Sequence, residues 1–266
     1  MKRLSEWDFP NAATLPGSAY YYVVRFCEKS NQNKLAYWFA WFDLLDEIEK
    51  KSKDPGVARI KIDWWKEEVK RILGNEARHP LAKELSQNVY SQQQVDFMII
   101  ALQALEEKIL NIQPKTIYEY KENCFNFFGP RLYLLCNTLT SDKRILALAE
   151  CIATVTWLSK IKIDSKKGHF LFPSEFFGKS IHGPNDLNQQ IKNEEFEKNT
   201  ILFLKKLNLI EKKDLKNMAV DQSIEPAIKY ASQNLKLLKI LKKNKFNPLK
   251  KNQLMPISLL LSAWRI

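Results

Sequence analysis

The 266-residue sequence predicts an all-α fold on three observations. Only 7 glycines occur, so the backbone is seldom asked for the positive φ of tight hairpins. The helix formers Leu, Lys, Glu and Ala dominate the composition. No stretch alternates apolar and polar residues with the period of two that a half-buried strand needs. The length suffices for one domain with a substantial apolar core, and residues 1–266 read as a single unit.

Each helix has its own local justification. Residues 19–28 and 34–51 read as helices parted by the polar break Ser30-Asn31-Gln32-Asn33. Asp54-Pro55 places a cap and a first-turn proline ahead of Val57, Ile60, Trp64 and Ile72, which recur at helical spacing before Gly74; this predicts a helix over 55–73. Ser91-Gln92-Gln93-Gln94 and Thr116-Ile117-Tyr118-Glu119 have capping-box spacing, so a helix starts at each. Residues 141–161 form a further candidate helix. The segment 166–185, with Gly168, Pro173, Gly178, Gly183 and Pro184, reads as irregular, and helices over 184–208, 212–241 and 253–264 complete the chain.

Cys27, Cys124, Cys136 and Cys151 form no CxxC pair and no zinc spacing, which points to a reducing, cytoplasmic compartment. Residues 1–10 contain no apolar signal region, and the longest apolar runs fall short of a membrane span, so a soluble or peripheral protein is expected. His79, His169 and His182 lack the pairing of a metal or catalytic histidine site.

A formal charge of +12, from 42 basic and 30 acidic residues, calls for an anionic partner. No acid follows Glu225, whereas eight lysines, from Lys229 to Lys251, and Arg265 do. They alternate with Ile228, Ala231, Leu235, Leu238 and Leu241, giving one apolar stripe and one basic face. Such a helix suits either a bundle or peripheral contact with anionic lipid. No nucleic-acid-binding motif accompanies the charge, and nucleic acid is not expected as a partner.

Pro16-Gly17-Ser18-Ala19-Tyr20-Tyr21-Tyr22 is similar to the serine-aromatic opening of the squalene/phytoene synthases, the head-to-head prenyltransferases. Leu45-Asp46-Glu47-Ile48-Glu49-Lys50 then stands where that family has its first aspartate motif, D-D-x-x-D. The run from Asp54 through Trp64-Trp65-Lys66-Glu67-Glu68-Val69 to His79-Pro80-Leu81-Ala82 resembles the family's arginine-to-tryptophan helix and its H-P-V-A continuation. Lys166-Lys167-Gly168-His169-Phe170-Leu171-Phe172-Pro173 resembles the R-R-G-R-x-Y-L-P loop, which locates the second aspartate motif at residues 160–164. The resemblance implies an isoprenoid synthase-type helical bundle around a central cavity. It also implies condensation of two prenyl diphosphates, with Mg²⁺ held by carboxylates four residues apart on two facing helices.

At the ligand positions the chain departs from that pattern. Lys50 replaces the last aspartate of the first motif and Lys160 the first of the second, leaving Asp46, Glu47 and Asp164 as the acidic remnants. Asp43 and Phe39 stand where the family has arginine and tyrosine, Gln32 and Asn33 where it has paired arginines, and Ala153 and Thr156 where it has Q-x-x-N. An ammonium group cannot ligate Mg²⁺ and repels it, so loss of the metal chemistry is expected and no metal is assigned. Three arrangements stay open for the lysines. Asp46 meets Lys160 and Lys50 meets Asp164 in a neutral cluster; or Lys50 and Lys160, with Lys162, Lys166 and Lys167, contact a diphosphate directly; or all line a solvated rim. Tyr20 and Phe39, among the aromatic sets 20–22 and 38–42, wall a prenyl cavity or simply pack. Arg59 reaches the site or makes an ordinary ion pair.

The resemblance thus implies an isoprenoid-related protein impaired in condensation that still binds a prenyl diphosphate or lipid. An active prenyltransferase with an altered, Mg²⁺-dependent site is the first alternative. A non-catalytic assembly factor, like the family's mitochondrial relative implicated in complex I assembly, is the second.

Overall fold

The computed structural model describes residues 5–52, 54–110, 112–136, 142–178, 184–192, 194–250 and 252–264. Ser141, His182, Gly183, Lys251 and Arg265 lie outside the described residues. Among the described residues all regular structure is helical.

Helix α1 (Ala19–Arg25) opens where Ser18 Oγ accepts the Tyr21 N–H at 3.1 Å, and it stops three residues short of the expected end. The polar break before α2 (Gln32–Lys51) is a joint rather than a loose loop. Gln32 Nε2 donates to the carbonyls of Arg25 and Cys27, and Asn33 Oδ1 accepts the Phe9 N–H at 3.0 Å. Helix α3 (Pro55–Lys70) is capped by Asp54, which accepts the Gly56 N–H at 2.6 Å. Its end is set by Asn75, which takes the left-handed conformation at φ 54° and lets the Glu76 N–H reach the Arg71 carbonyl; Gly74 is not the residue that does so. Helix α4 (Pro80–Ser86), not expected from the sequence, is capped by His79 Nδ1 accepting the Leu81 N–H.

Helices α5 (Gln92–Ile109) and α6 (Ile117–Cys136) begin at the two expected boxes. Ser91 Oγ accepts the Gln94 N–H and Thr116 Oγ1 accepts the Glu119 N–H. The return bonds fall one residue early, Gln94 accepting from Tyr90 N–H at 2.8 Å and Glu119 from Lys115 N–H at 2.6 Å. Helix α7 (Lys143–Lys166) runs beyond the expected residue 161 and closes on Gly168, at φ 75°. The Gly168 N–H bonds the Ser165 carbonyl and the His169 N–H the Asp164 carbonyl, so one left-handed glycine satisfies two orphan acceptors.

The stretch expected to be irregular contains one turn of helix, α8 (Ser174–Phe177). Residues 184–208 hold two helices, α9 (Pro184–Lys192) and α10 (Glu195–Leu207), rather than one. The expected helix over 212–241 is likewise divided into α11 (Lys212–Met218) and α12 (Glu225–Lys243). Pro226 explains the division: its ring and missing N–H are tolerated only in a first turn, and Asp221 caps the intervening turn through the Ser223 N–H. Helix α13 (Pro256–Trp264) packs on α12 and α1. Part of the α12 basic face is spent on that contact, because buried Lys229 donates to the Ala263 carbonyl at 3.0 Å and Lys236 to the Ser258 carbonyl at 3.1 Å.

Packing proceeds around a ring: α3 against α5, α5 against α6, α6 against α7, α7 against α12, α12 against α1, and α1 against α2. Trp38, Phe39, Trp41 and Phe42 are all buried, so this aromatic set is core. Trp41 meets Trp65, and Trp65 meets His79 at 4.9 Å between centroids. A second aromatic core gathers Tyr120, Phe172, Phe177 and Phe203 between α6 and α10. The four cysteines are buried and unpaired by disulfides.

The α3–α4 corner is held by a single carboxylate. Glu68 is fully buried, accepts the backbone N–H groups of Arg78 and His79, the latter at 2.6 Å, and pairs with Arg71 at 3.3 Å. Burial pushes its pKa up, but these donors outweigh burial and hold it below the ordinary glutamate value. Glu68→Ala is expected to lower stability by roughly 2 kcal/mol, since it removes two charge-assisted bonds to the half-buried Arg78 and His79 N–H groups. The sign with pH follows from the depressed value: the contribution is complete above the ordinary glutamate pKa and fades as pH falls below it. Urea unfolding of wild type and Glu68→Gln across acidic pH checks this; the variant should lose part of the wild type's acid sensitivity.

Candidate functional site

The ring encloses a charged cavity of about 190 Å³. Its wall draws on α1 (Tyr20), α2 (Asp46, Glu49, Lys50), α5 (Lys108), α6 (Phe127, Phe128, Arg131), α7 (Thr156, Trp157, Lys160, Ile163, Asp164), the α7 cap (Lys167) and α12 (Tyr230). Helical spacing explains the selection. Asp46, Glu49 and Lys50 are three and four residues apart and share one face of α2, as do Thr156, Lys160 and Ile163 or Asp164 on α7.

Five cations and three carboxylates therefore converge. Arg131 Nη1 pairs with Asp46 at 3.0 Å, and its guanidinium lies 4.4 Å from the Phe127 ring and 5.5 Å from Phe42. Lys108 pairs with Glu49 at 2.6 Å, both nearly buried. Lys50 reaches back along its own helix to Asp43 at 3.8 Å. Lys167 Nζ donates to the Glu49 carbonyl at 3.2 Å. Neither Lys160 nor Asp164 has an ion-pair partner in contact among the described residues.

The protonation behaviour follows from burial and these charges. Burial drives Asp46 upward, yet Arg131, Lys160 and Lys108 together hold it below its ordinary value. Asp164 is raised by burial, with Glu49 adding to the shift against Lys108 and Lys160. Burial lowers Lys160, and Asp46 only partly offsets it. Tyr20 is raised well above the ordinary tyrosine value by burial, Tyr230 and Asp46.

Of the expected site residues, Tyr20, Asp46, Lys50, Thr156, Lys160, Asp164 and Lys167 come together in this cavity. Glu47 does not: it pairs with Lys51 at 2.8 Å and borders a separate groove with Trp64 and His79. Phe39 lies one layer behind, stacked on Tyr20 at 4.3 Å. Asp43 stands on the same helix outside the cavity wall, Ala153 is fully buried in the core, and Arg59 pairs with Glu106 at 3.0 Å on an exposed face. The anticipated cross-pairs do not form as contacts, because Arg131 takes Asp46 and Asp43 takes Lys50.

Arg131, Lys108, Glu49 and Tyr230 escaped the sequence reading. Arg131 left a usable signal, being a lone cation in the otherwise apolar run Phe127 to Leu135. Its backbone position follows Pro130, which lies inside α6 and deprives the Asn126 carbonyl of its usual donor.

Mg²⁺ asks for several free oxygen ligands in octahedral array. Here Asp46 and Glu49 are each engaged by a cation, ammonium groups stand at two of the four motif positions, and no group of three potential ligand side chains assembles among the described residues. The donor set does not fit a Mg²⁺ cluster.

Breaking the central pair tests its energetic role. Asp46→Leu strands the Arg131 charge in an apolar wall and is expected to cost about 3–5 kcal/mol in urea unfolding. Asp46→Leu combined with Arg131→Met removes both charges and should recover most of that loss. A double variant no more stable than the single one would show that the pair is not what holds α2 to α6.

The squalene/phytoene synthase family matches residues 15–200. A dehydrosqualene synthase, solved in complex with ligand, superposes with a TM-score of 0.65 over 92% of this chain and 90% of that chain, at 14% identity, which bears on the fold. No curated protein matches the sequence. With the family matched over well over half its length, and with both aspartate-motif remnants on one cavity of an all-α isoprenoid synthase-type bundle, the chain belongs to the squalene/phytoene synthase family.

Proposed function

We propose that this chain is a divergent squalene/phytoene synthase-like protein that holds the phosphate head of a prenyl diphosphate or related isoprenoid lipid with its own cations, and that it is impaired in Mg²⁺-dependent head-to-head condensation. One observation carries the reading: five cations line the cavity where the two motif remnants meet, against three carboxylates. A diphosphate head brings several negative charges, and ammonium and guanidinium groups answer it as point charges and as hydrogen-bond forks. Among the described residues, buried Arg131 has N–H groups at Nε and Nη2 without partners, and such donors are costly to leave unpaired. Phosphate oxygens would satisfy them. Lys160 adds an ammonium group with no contacting acid among the described residues.

Space supports the same division of labour. The charged cavity is smaller than the roughly 300–1,000 Å³ typical of pockets for drug-sized ligands, so it suits a head group rather than a whole prenyl chain. Thr156 and Tyr230 also line a neighbouring cavity of about 500 Å³, whose wall mixes Leu237, Leu254 and Leu259 with Ser159, Gln233 and Asn234, and its volume leaves room for the rest of the ligand.

Condensation requires more than binding. The leaving diphosphate must be ionised, and the family does this with divalent cations bridging carboxylate to phosphate. Lysines at two motif positions neutralise charge without bridging, which supports binding over turnover.

Calorimetry with farnesyl diphosphate tests this. Heat of binding is expected with or without Mg²⁺, and Lys160→Ala should weaken it at least tenfold. Binding that appears only with Mg²⁺, or a condensed product extracted after incubation with labelled prenyl diphosphate and Mg²⁺, would refute the impairment. No binding in either condition would remove the reading altogether.

A further inference from the structure

Helix α13 carries apolar side chains on both of its faces. Leu259 and Ala263 are buried, on the helix that packs against α12 and α1. On the other side Ile257 and Trp264 are each 61% exposed, with Leu260 and Leu261 half-buried between them. These four are spaced i, i+3, i+4 and i+7, which makes one continuous stripe facing outward. Met255, just ahead of the helix, is also exposed. A helix apolar all round is normally covered on all sides.

Cations flank this stripe. Lys212 of α11 and Lys236 and Lys239 of α12 surround Leu261 around a small hollow whose lining contains no acid. The acids nearest Lys212 in sequence are engaged elsewhere, Glu211 and Asp214 capping α11 reciprocally and Glu211 pairing with Lys213 at 3.4 Å. Beyond Glu225 the chain has no acid at all.

We propose that this face docks on an anionic lipid bilayer, with α13 lying in the plane of the head groups, its Ile257–Trp264 stripe sunk among the acyl chains and the lysines on lipid phosphates. Lipid fits better than another occupant for three reasons. The combination of apolar stripe, flanking lysines and tryptophan matches an interfacial helix, where tryptophan prefers the head-group boundary. Lysines beside a surface are drawn to anionic leaflets. Met255, exposed just ahead of the stripe, also lines the 500 Å³ cavity, and that cavity shares Thr156 and Tyr230 with the charged site. No described helix is long and apolar enough to cross a membrane, so the contact is one of lying on the surface.

Co-sedimentation of the full chain with vesicles tests the proposal, using phosphatidylcholine alone and an equal mixture of phosphatidylcholine and phosphatidylglycerol. The protein is expected to pellet with the mixed vesicles, to release at high salt, and to stay largely in the supernatant with phosphatidylcholine alone. Lys212→Gln with Lys239→Gln should weaken partitioning roughly thirtyfold, about five- to sixfold per lysine. Ile257→Ser with Trp264→Ser should abolish it, while thermal unfolding stays near wild type because both side chains are exposed. Failure of the wild type to pellet with anionic vesicles overturns the proposal, as does undiminished pelleting of the serine variant. A concentration-dependent dimer in size-exclusion chromatography that the serine variant loses, without vesicle binding by the wild type, would assign the face to a second copy instead.

Discussion

A charge buried inside a ring of helices must find its opposite, and the pairing of Arg131 with Asp46 is where this chain meets that demand. The guanidinium sits against Phe127, Phe42 and Phe128, surroundings of low polarity in which an unpaired cation would cost several kcal/mol. Asp46 supplies the counter-charge from α2, and Lys108 with Glu49 ties α5 to the same helix. The positions of α2, α5 and α6 around the cavity are therefore coupled through charge as well as through packing. Lys160 and Asp164, which lack such contacts, shift instead toward their neutral forms, the lysine downward and the carboxylic acid upward.

Scaffold and site have separated along a physical line. Outside the aspartate remnants Asp46 and Asp164, several motif residues that keep the family pattern end helices or hold turns. Glu68 fastens the turn before α4, His79 caps α4, and Gly168 closes α7. The positions that depart either point into the cavity, as Lys50, Lys160 and Thr156 do, or take on structural work, as Gln32 and Asn33 do at the joint before α2. A fold can tolerate a change of chemistry in its cavity as long as the helix ends and aromatic anchors persist, because those set where the helices lie.

The exterior repeats the theme of paired apolar and cationic features on a larger scale. Lysines of α12 are divided between two tasks. Lys229 and Lys236 hold α13 in place through its carbonyl groups, whereas Lys239 remains outside beside the exposed apolar stripe. The charged cavity and its larger neighbour share Thr156 and Tyr230, and Met255, just ahead of the exposed stripe, borders the larger one.

Local signals were legible in the sequence because their physics is local. Helix starts at Asp54, Ser91 and Thr116 depend on a side chain reaching an N–H two or three residues away, and periodicity reports which face of a helix is buried. The same reasoning missed the breaks at Pro226 and between α9 and α10, and it named Gly74 where Asn75 turns the chain. Spacing along α2 and α7 also gave Asp46, Lys50, Lys160 and Asp164 a common cavity once the family resemblance set the two helices face to face. Which charge meets which was decided only by the tertiary structure. Arg131 reaches Asp46 across 85 residues and Lys108 reaches Glu49 across 59, and both lie on helices whose own sequence carries no mark of the partner. Coulomb energy depends on distance in space and on the polarity of the surroundings, and both come into being only when the ring has closed.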